Sequence, residues 1–85
     1  MPSRVVVFTT DSCTYCDHAK SLLGKRGVTF EEVNLSDHPE LQVELAEVTG
    51  LESFPQIVVN GEPLGGLNEL RGADRDGVLA SWTVP

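Results

Sequence analysis

Short β-forming runs along this chain are separated by stretches in which apolar residues recur at helical spacing. Four runs that are β-branched or that alternate apolar and polar side chains predict strands, at residues 4–8, 28–35, 56–60 and 62–64. The last two runs are joined by Asn60-Gly61, a dipeptide typical of a tight β-hairpin turn. The pattern therefore predicts four strands, of which the last two form a hairpin.

Three intervening stretches predict helices. The first begins near Cys13 and ends at Gly24 or Gly27; its expected apolar face consists of Cys16, Ala19, Leu22 and Leu23. The second is expected to be capped by Ser36 or Asp37, with Pro39 in its first turn and Gly50 at its end. Its expected apolar face consists of Leu41, Leu45 and Val48.

The third predicted helix spans residues 67–82, after the break at Gly65-Gly66. Its expected apolar face consists of Leu67, Leu70, Val78, Leu79 and Trp82. The resulting order is β-α-β-α-β-β-α, in which the first strand-helix-strand unit predicts a right-handed parallel crossover. We therefore expect an α/β protein of thioredoxin-like fold, with a four-stranded mixed sheet flanked by helices and a single domain over residues 1–85.

The net charge of the chain limits the kinds of partner that it can bind. Thirteen acidic against six basic residues leave a formal net charge of −7, which disfavours binding to nucleic acids and to anionic membranes. The apolar run "VVVF" is far too short to span a membrane, and the chain opens with no leader-like pattern. We therefore expect a cytoplasmic protein, where paired cysteines are more often metal ligands or redox-active than structural.

Cys13 and Cys16 are the only cysteines, and they fall where the first strand gives way to the first helix. Backbone N–H groups and the helix dipole stabilise an anion there, so the position favours a nucleophilic thiolate at Cys13. Cys16 lies one turn later and can resolve a mixed disulfide formed at Cys13. Two alternatives are less favoured: a structural disulfide would close almost no loop, and a four-ligand zinc site would need both His18 and His38 beside the two cysteines.

Several motifs in this order resemble the glutaredoxins. They are "FTTDSCTYC", "FPQIVVNGEPLGG" and "NEL", which together extend over nearly the whole chain. The resemblance implies a cis Phe54-Pro55 bond beside Cys13, with the Phe54 backbone free to pair with an extended substrate. It also implies glutathione-binding roles for Tyr15, Phe54, Pro55, Gly65, Gly66 and Asn68.

The chain departs from the family pattern at the ends of the implied glutathione site. Thr10 stands where many glutaredoxins have lysine, and the stretch "EVTGLES" contains no base. Asn68 stands where the family has an acidic residue, with Glu69 next to it. These departures predict weak glutathione binding.

The resemblance implies a thiol-disulfide oxidoreductase that uses glutathione as co-substrate and reduces protein disulfides and glutathione mixed disulfides through Cys13 and Cys16. One alternative is a glutaredoxin-like donor reduced by thioredoxin reductase and serving an enzyme such as ribonucleotide reductase. Another is a glutaredoxin that binds a [2Fe-2S] cluster between two subunits. For the leading hypothesis we expect a monomer with no bound metal, and glutathione and disulfide-containing proteins as its partners.

Overall fold

A four-stranded mixed sheet forms the centre of the structure, a computed structural model that describes residues 3–83. Its strands are β1 (Val5–Thr9), β2 (Phe30–Asn34), β3 (Gln56–Val59) and β4 (Glu62–Gly65), in the spatial order β2-β1-β3-β4. Strand β1 pairs in parallel with β2 and antiparallel with β3, which in turn pairs antiparallel with β4. The predicted fold class is thus confirmed.

The hairpin between β3 and β4 forms at the predicted dipeptide. Asn60 and Gly61 both have positive φ, 52° and 83°, as a two-residue hairpin turn requires. The Asn60 side chain also accepts a hydrogen bond from the Arg4 N–H at 2.8 Å, which ties the turn to the start of the chain.

Three α-helices accompany the sheet: α1 (Thr14–Lys25), α2 (Pro39–Thr49) and α3 (Leu67–Arg75). Cys13 caps α1, whose buried residues are Cys16, Ala19 and Leu23, and Gly50 ends α2 in the left-handed conformation. Among residues 3–83, no helix combines the length and the apolar character needed to cross a bilayer.

The hydrophobic core lies on one face of the sheet, under α1 and α3. The side chains of Val5, Val7 and Ile57 point from the sheet into it, since alternate residues of a strand face the same side. They pack with Ala19 and Leu23 of α1, Leu67 and Leu70 of α3, and Val28, Leu79 and Trp82. This packing holds α1, and therefore its N-terminus, in place against the end of β1.

The prediction of one helix over residues 67–82 was wrong. Helix α3 ends at Arg75, and a separate 3₁₀ helix (Val78–Trp82) follows a break at Gly77, whose φ is 75°. The break reorients the chain so that Leu79 and Trp82 reach the core while Val78 stays exposed. A continuous helix would interrupt this packing, and glycine adopts the left-handed conformation at little cost.

The predicted cap of α2 was also wrong. The capping residue is His38, whose backbone carbonyl accepts from the N–H groups of Leu41 and Gln42, and no side chain caps the helix. The Ser36 hydroxyl is engaged elsewhere, since it accepts a hydrogen bond from the Asp11 N–H at 2.6 Å.

The apolar face predicted for α2 is only partly the face that it buries: Leu45 is half-buried as predicted, whereas Leu41 is 39% exposed. Its half-buried residues are Gln42, Leu45, Ala46 and Thr49, whereas Val48 is 78% exposed. Two polar contacts set this rotation: Gln42 donates to the Leu35 carbonyl at 2.7 Å, and Thr49 donates to Gln56 at 2.8 Å. In this rotation Val48 is exposed, contrary to the apolar periodicity of this helix.

Candidate active site

Cys13 and Cys16 stand together at the start of α1, joined as a disulfide with their Cα atoms 5.2 Å apart. Cys13 is the capping residue, and its Sγ accepts a hydrogen bond from the Cys16 N–H at 3.1 Å. Cys13 is half-buried, whereas Cys16 is only 1% exposed. One sulfur of the pair is thus accessible and lies where the backbone stabilises negative charge.

The segment before β3 lies directly against this sulfur. The Phe54-Pro55 bond is cis, as predicted, and the Phe54 carbonyl oxygen lies 3.8 Å from Cys13 Sγ. Within residues 3–83, neither the N–H nor the C=O of Phe54 has a backbone hydrogen-bond partner. Both groups remain available to an extended chain bound next to Cys13.

A groove of about 320 Å³, which we call the redox groove, lies next to the cysteine pair. Neither cysteine lines it, but Phe54, whose carbonyl lies 3.8 Å from Cys13 Sγ, does. The structure brings together most of the predicted ligand-binding residues, because Tyr15, Phe54, Pro55, Gly66 and Asn68 all line it. Tyr15 is 63% exposed and forms part of its wall. Gly65 is buried behind the groove and does not line it.

Gly65 and Glu69 form a local support for the groove. The Glu69 carboxylate accepts a hydrogen bond from the Gly66 N–H at 2.8 Å and so satisfies a free donor at the start of α3. A Cβ on Gly65 would lie 2.6 Å from Cγ of Glu69, and the φ of Gly65 is 132°. The backbone conformation and the position of Glu69 therefore both favour glycine at position 65.

Sequence reasoning missed four residues that line the redox groove. They are Leu51, Ser53, Leu67 and Arg71, while Glu69, which the sequence places next to Asn68, lines it as well. Leu51 and Ser53 come from the segment that joins α2 to β3, for which the sequence carries no periodic signal. Leu67 and Arg71 are four residues apart on α3, so helical spacing could have placed both on one side once that helix was predicted.

Arg71 is the one cation among the residues that line the redox groove. Within residues 3–83 it forms no salt bridge, in contrast to Arg26, which pairs with Asp74 at 2.7 Å. The Arg26 guanidinium lowers the pKa of Asp74 by hydrogen bonding, and Asp74 in return raises the pKa of Arg26. The guanidinium of Arg71 is free to meet an anionic ligand.

A charged cluster joins α1 to β2 near the end of β1. The Glu32 carboxylate accepts from the buried Thr9 hydroxyl at 2.8 Å and from Lys20 Nζ at 3.1 Å, and both bonds lower the pKa of Glu32. The same bond to Glu32 raises the pKa of Lys20, which also lies 3.7 Å from Asp17. Lys20 therefore partly offsets the negative charge of Asp17, the neighbour of Cys16.

The family model for glutaredoxin matches residues 5–64 of the chain. The chain belongs to the glutaredoxin family. It is therefore a thiol-disulfide oxidoreductase, and the Cys13–Cys16 pair has the form of the redox-active disulfide of that family. No group of three or more His, Cys, Asp or Glu side chains within residues 3–83 is arranged to hold a metal ion.

Two curated relatives illustrate the extent of the match. A glutaredoxin of Pseudomonas aeruginosa is 41% identical over 75 residues, which cover 88% of this chain and 89% of that protein. Glutaredoxin 3 of Escherichia coli K12 is 31% identical over 77 residues, covering 91% of this chain and 93% of that protein. The similarity of this glutaredoxin to both relatives extends over almost their full lengths.

Solved structures agree with the observed fold. The crystal structure of a buckwheat glutaredoxin–glutathione complex superposes with a TM-score of 0.85 at 30% identity, covering 92% of this chain and 74% of that one. The solution structure of a glutaredoxin from Brucella melitensis gives a TM-score of 0.81 at 37% identity, covering 92% of this chain and 85% of that one. The thioredoxin-like fold of this glutaredoxin is thus shared with both.

Proposed function

We propose that this glutaredoxin is a glutathione-dependent reductase of protein disulfides and glutathione mixed disulfides, acting in the cytoplasm as a single-domain monomer. Cys13 is the nucleophile and Cys16 the resolving thiol. The observation that carries this assignment is the hydrogen bond from the Cys16 N–H to Cys13 Sγ at the accessible end of α1. It stabilises a thiolate at Cys13, whereas Cys16 lies buried behind it.

The chemistry follows from this arrangement. The Cys13 thiolate attacks one sulfur of a substrate disulfide, breaks the S–S bond and releases the other sulfur as a thiolate that takes up a proton. Cys16 loses its proton and attacks Cys13 Sγ, which forms the intramolecular disulfide and releases the second substrate thiol. Two electrons pass from the dithiol to the substrate, and two molecules of glutathione restore the dithiol and leave as glutathione disulfide.

Substitution of each cysteine tests the two roles. Cys13→Ser should abolish reduction of every disulfide, because no nucleophile remains at the start of α1. Cys16→Ser should lose intramolecular resolution but keep reduction of glutathione mixed disulfides, in which glutathione itself can resolve. A fully active Cys13→Ser variant, with alkylating reagents preferring Cys16 in the wild type, would reverse the assignment.

The choice of glutathione as reductant is supported by the redox groove. The free N–H and C=O of Phe54 suit an extended tripeptide, and Arg71 offers a partner for one of its carboxylates. The buckwheat relative was solved as a complex with glutathione. The test supplies electrons either from glutathione with its reductase or from thioredoxin reductase and measures turnover with each. Sustained turnover with thioredoxin reductase alone would favour the alternative in which that enzyme is the reductant.

Arg71 gives a sharper test of glutathione binding in this groove. We expect Arg71→Gln to raise the Michaelis constant for glutathione by about fivefold or less, since an exposed charge pair contributes about 1 kcal/mol at most. The matched control is Arg75→Gln, one turn further along α3 and outside the redox groove. Equal effects of both substitutions would mean that only the overall charge of the protein matters.

A further inference from the structure

Helix α2 leaves a large part of its apolar surface uncovered. Val43 is 60% exposed and Val48 78%, and no residue of the helix is fully buried. The polar contacts of Gln42 and Thr49 hold the helix in this rotation. Val43 and Val48 lie on different sides of the helix, and of the two only Val43 lines the groove described next.

The exposed side chain of Val43 lies in a groove of about 1010 Å³ between α2 and residues 50–53, which we call the α2 groove. Its apolar lining includes Val43, Ala46 and Leu51. Leu51 and Ser53 line both the α2 groove and the redox groove, so the two are continuous. A chain whose disulfide reaches Cys13 can therefore extend directly into the α2 groove.

The charge of this region is of one sign. Residues 36–53 contain five carboxylates and no lysine or arginine, so they carry −5 of the net −7, and the carboxylates are Asp37, Glu40, Glu44, Glu47 and Glu52. Glu47 and Glu52 line the α2 groove itself. Among the described residues, neither of these two forms a salt bridge, so both are available to a cation from outside the chain.

We propose that the α2 groove docks the polypeptide of protein substrates, and that it selects segments in which lysine or arginine alternates with apolar residues beside the reactive cysteine. The apolar lining accepts the apolar side chains, and Glu47 and Glu52 accept the cations. Acidic partners, a second copy of this chain included, are repelled by the same charge. The proposal rests on the function proposed above, because the docked segment must present its disulfide to Cys13.

Single-turnover reduction by the fully reduced protein tests the proposal without any assumption about the reductant. Two short peptides carry one cysteine as a mixed disulfide with 2-mercaptoethanol, and they differ only in having lysine or glutamate between the same apolar residues. Each turnover converts one protein dithiol to its disulfide and releases the peptide thiol and 2-mercaptoethanol, which chromatography quantifies. Reduction of bis(2-hydroxyethyl) disulfide measures the chemistry without any peptide.

We expect the wild type to reduce the lysine peptide about fivefold to tenfold faster than the glutamate peptide at low salt, with a smaller ratio at high salt. Glu47→Gln/Glu52→Gln should lower this ratio to about twofold or less, because the two carboxylates in the groove are lost. The matched control Glu62→Gln/Asp76→Asn also removes two exposed carboxylates, both outside the two grooves, and should leave the ratio unchanged.

A second pair of variants isolates the apolar contribution. Val43→Ser should slow reduction of the lysine peptide, whereas Val78→Ser alters an exposed valine that lines neither groove and should not. Equal rates for the two peptides, with bis(2-hydroxyethyl) disulfide still reduced, would overturn the docking proposal and leave the proposed function intact. Failure to reduce bis(2-hydroxyethyl) disulfide as well would overturn both.

Discussion

Gln56 connects residues that line both grooves to the sheet through hydrogen bonds. Its replacement by leucine tests how much these bonds contribute to stability. Gln56 is 1% exposed at the start of β3; its Oε1 accepts from the Thr49 hydroxyl at 2.8 Å, and its Nε2 donates to the Leu51 carbonyl at 2.9 Å. The Thr49 oxygen also accepts from the Leu51 N–H at 3.1 Å. One buried amide thus fixes the end of α2 and the segment that begins at Leu51.

Gln56→Leu keeps most of the side-chain volume and removes both hydrogen bonds. Thr49 can still donate to the Leu45 carbonyl at 3.0 Å, so the main loss is the donor to the Leu51 carbonyl. A carbonyl left without its partner in a partly buried site costs about 1–3 kcal/mol, and leucine regains part of this by apolar burial. We expect a net loss of about 1–2 kcal/mol, which lowers Tm by about 4–16 °C at roughly 4–8 °C per kcal/mol for a chain of this size.

Thermal and urea unfolding of the disulfide form measure this loss, with Gln42→Leu as the matched control. Gln42 also donates from Nε2 to a backbone carbonyl, that of Leu35 at 2.7 Å, but it is only half-buried. Water can replace that bond, so the control should cost less than about 1 kcal/mol. A Tm for Gln56→Leu within about 2 °C of the wild type, or an equal cost for Gln42→Leu, would refute this account of the buried amide.

Two further predictions concern stability. Gly65→Ala should destabilise the protein by about 1–3 kcal/mol in urea unfolding, because position 65 has a positive φ and the new Cβ would displace Glu69. Gly66→Ala should cost less, because its Cβ would lie 3.4 Å from the nearest atom. Equal losses of stability in the two variants would contradict this account of Gly65. Glu32→Gln should cost about 0.5–1 kcal/mol at pH 7 by removing the charged partner of Lys20. Because the folded pKa of Glu32 lies below its ordinary 4.5, its stabilisation is present above that value and is lost as the pH falls through the folded pKa, so the difference should vanish in acid. A difference that persists at low pH would exclude the ion pair as its cause.

The elements that local sequence specifies were predicted well. The turn at Asn60-Gly61 and the end of α2 at Gly50 depend on residues that tolerate positive φ, and this property acts within a few residues. The position of Cys13 at the start of α1 could be predicted, because a β-branched run before it is followed by apolar residues at helical spacing. The candidate nucleophile and its resolving partner could therefore be named from the sequence.

The surroundings of that pair depended on contacts between distant residues. The rotation of α2 is set by hydrogen bonds from Gln42 to the Leu35 carbonyl and from Thr49 to Gln56, which no apolar periodicity encodes. The break at Gly77 rests on the packing of the 3₁₀ helix that follows it into a core built by the sheet and α1.

Arg71 faces the redox groove, and Leu51 closes it, only because α3 and the segment after α2 meet beside the N-terminus of α1. Local backbone preferences thus determined where the reactive sulfurs lie. Only the tertiary structure decided which side chains surround them, because the walls of a groove come from segments far apart in the chain.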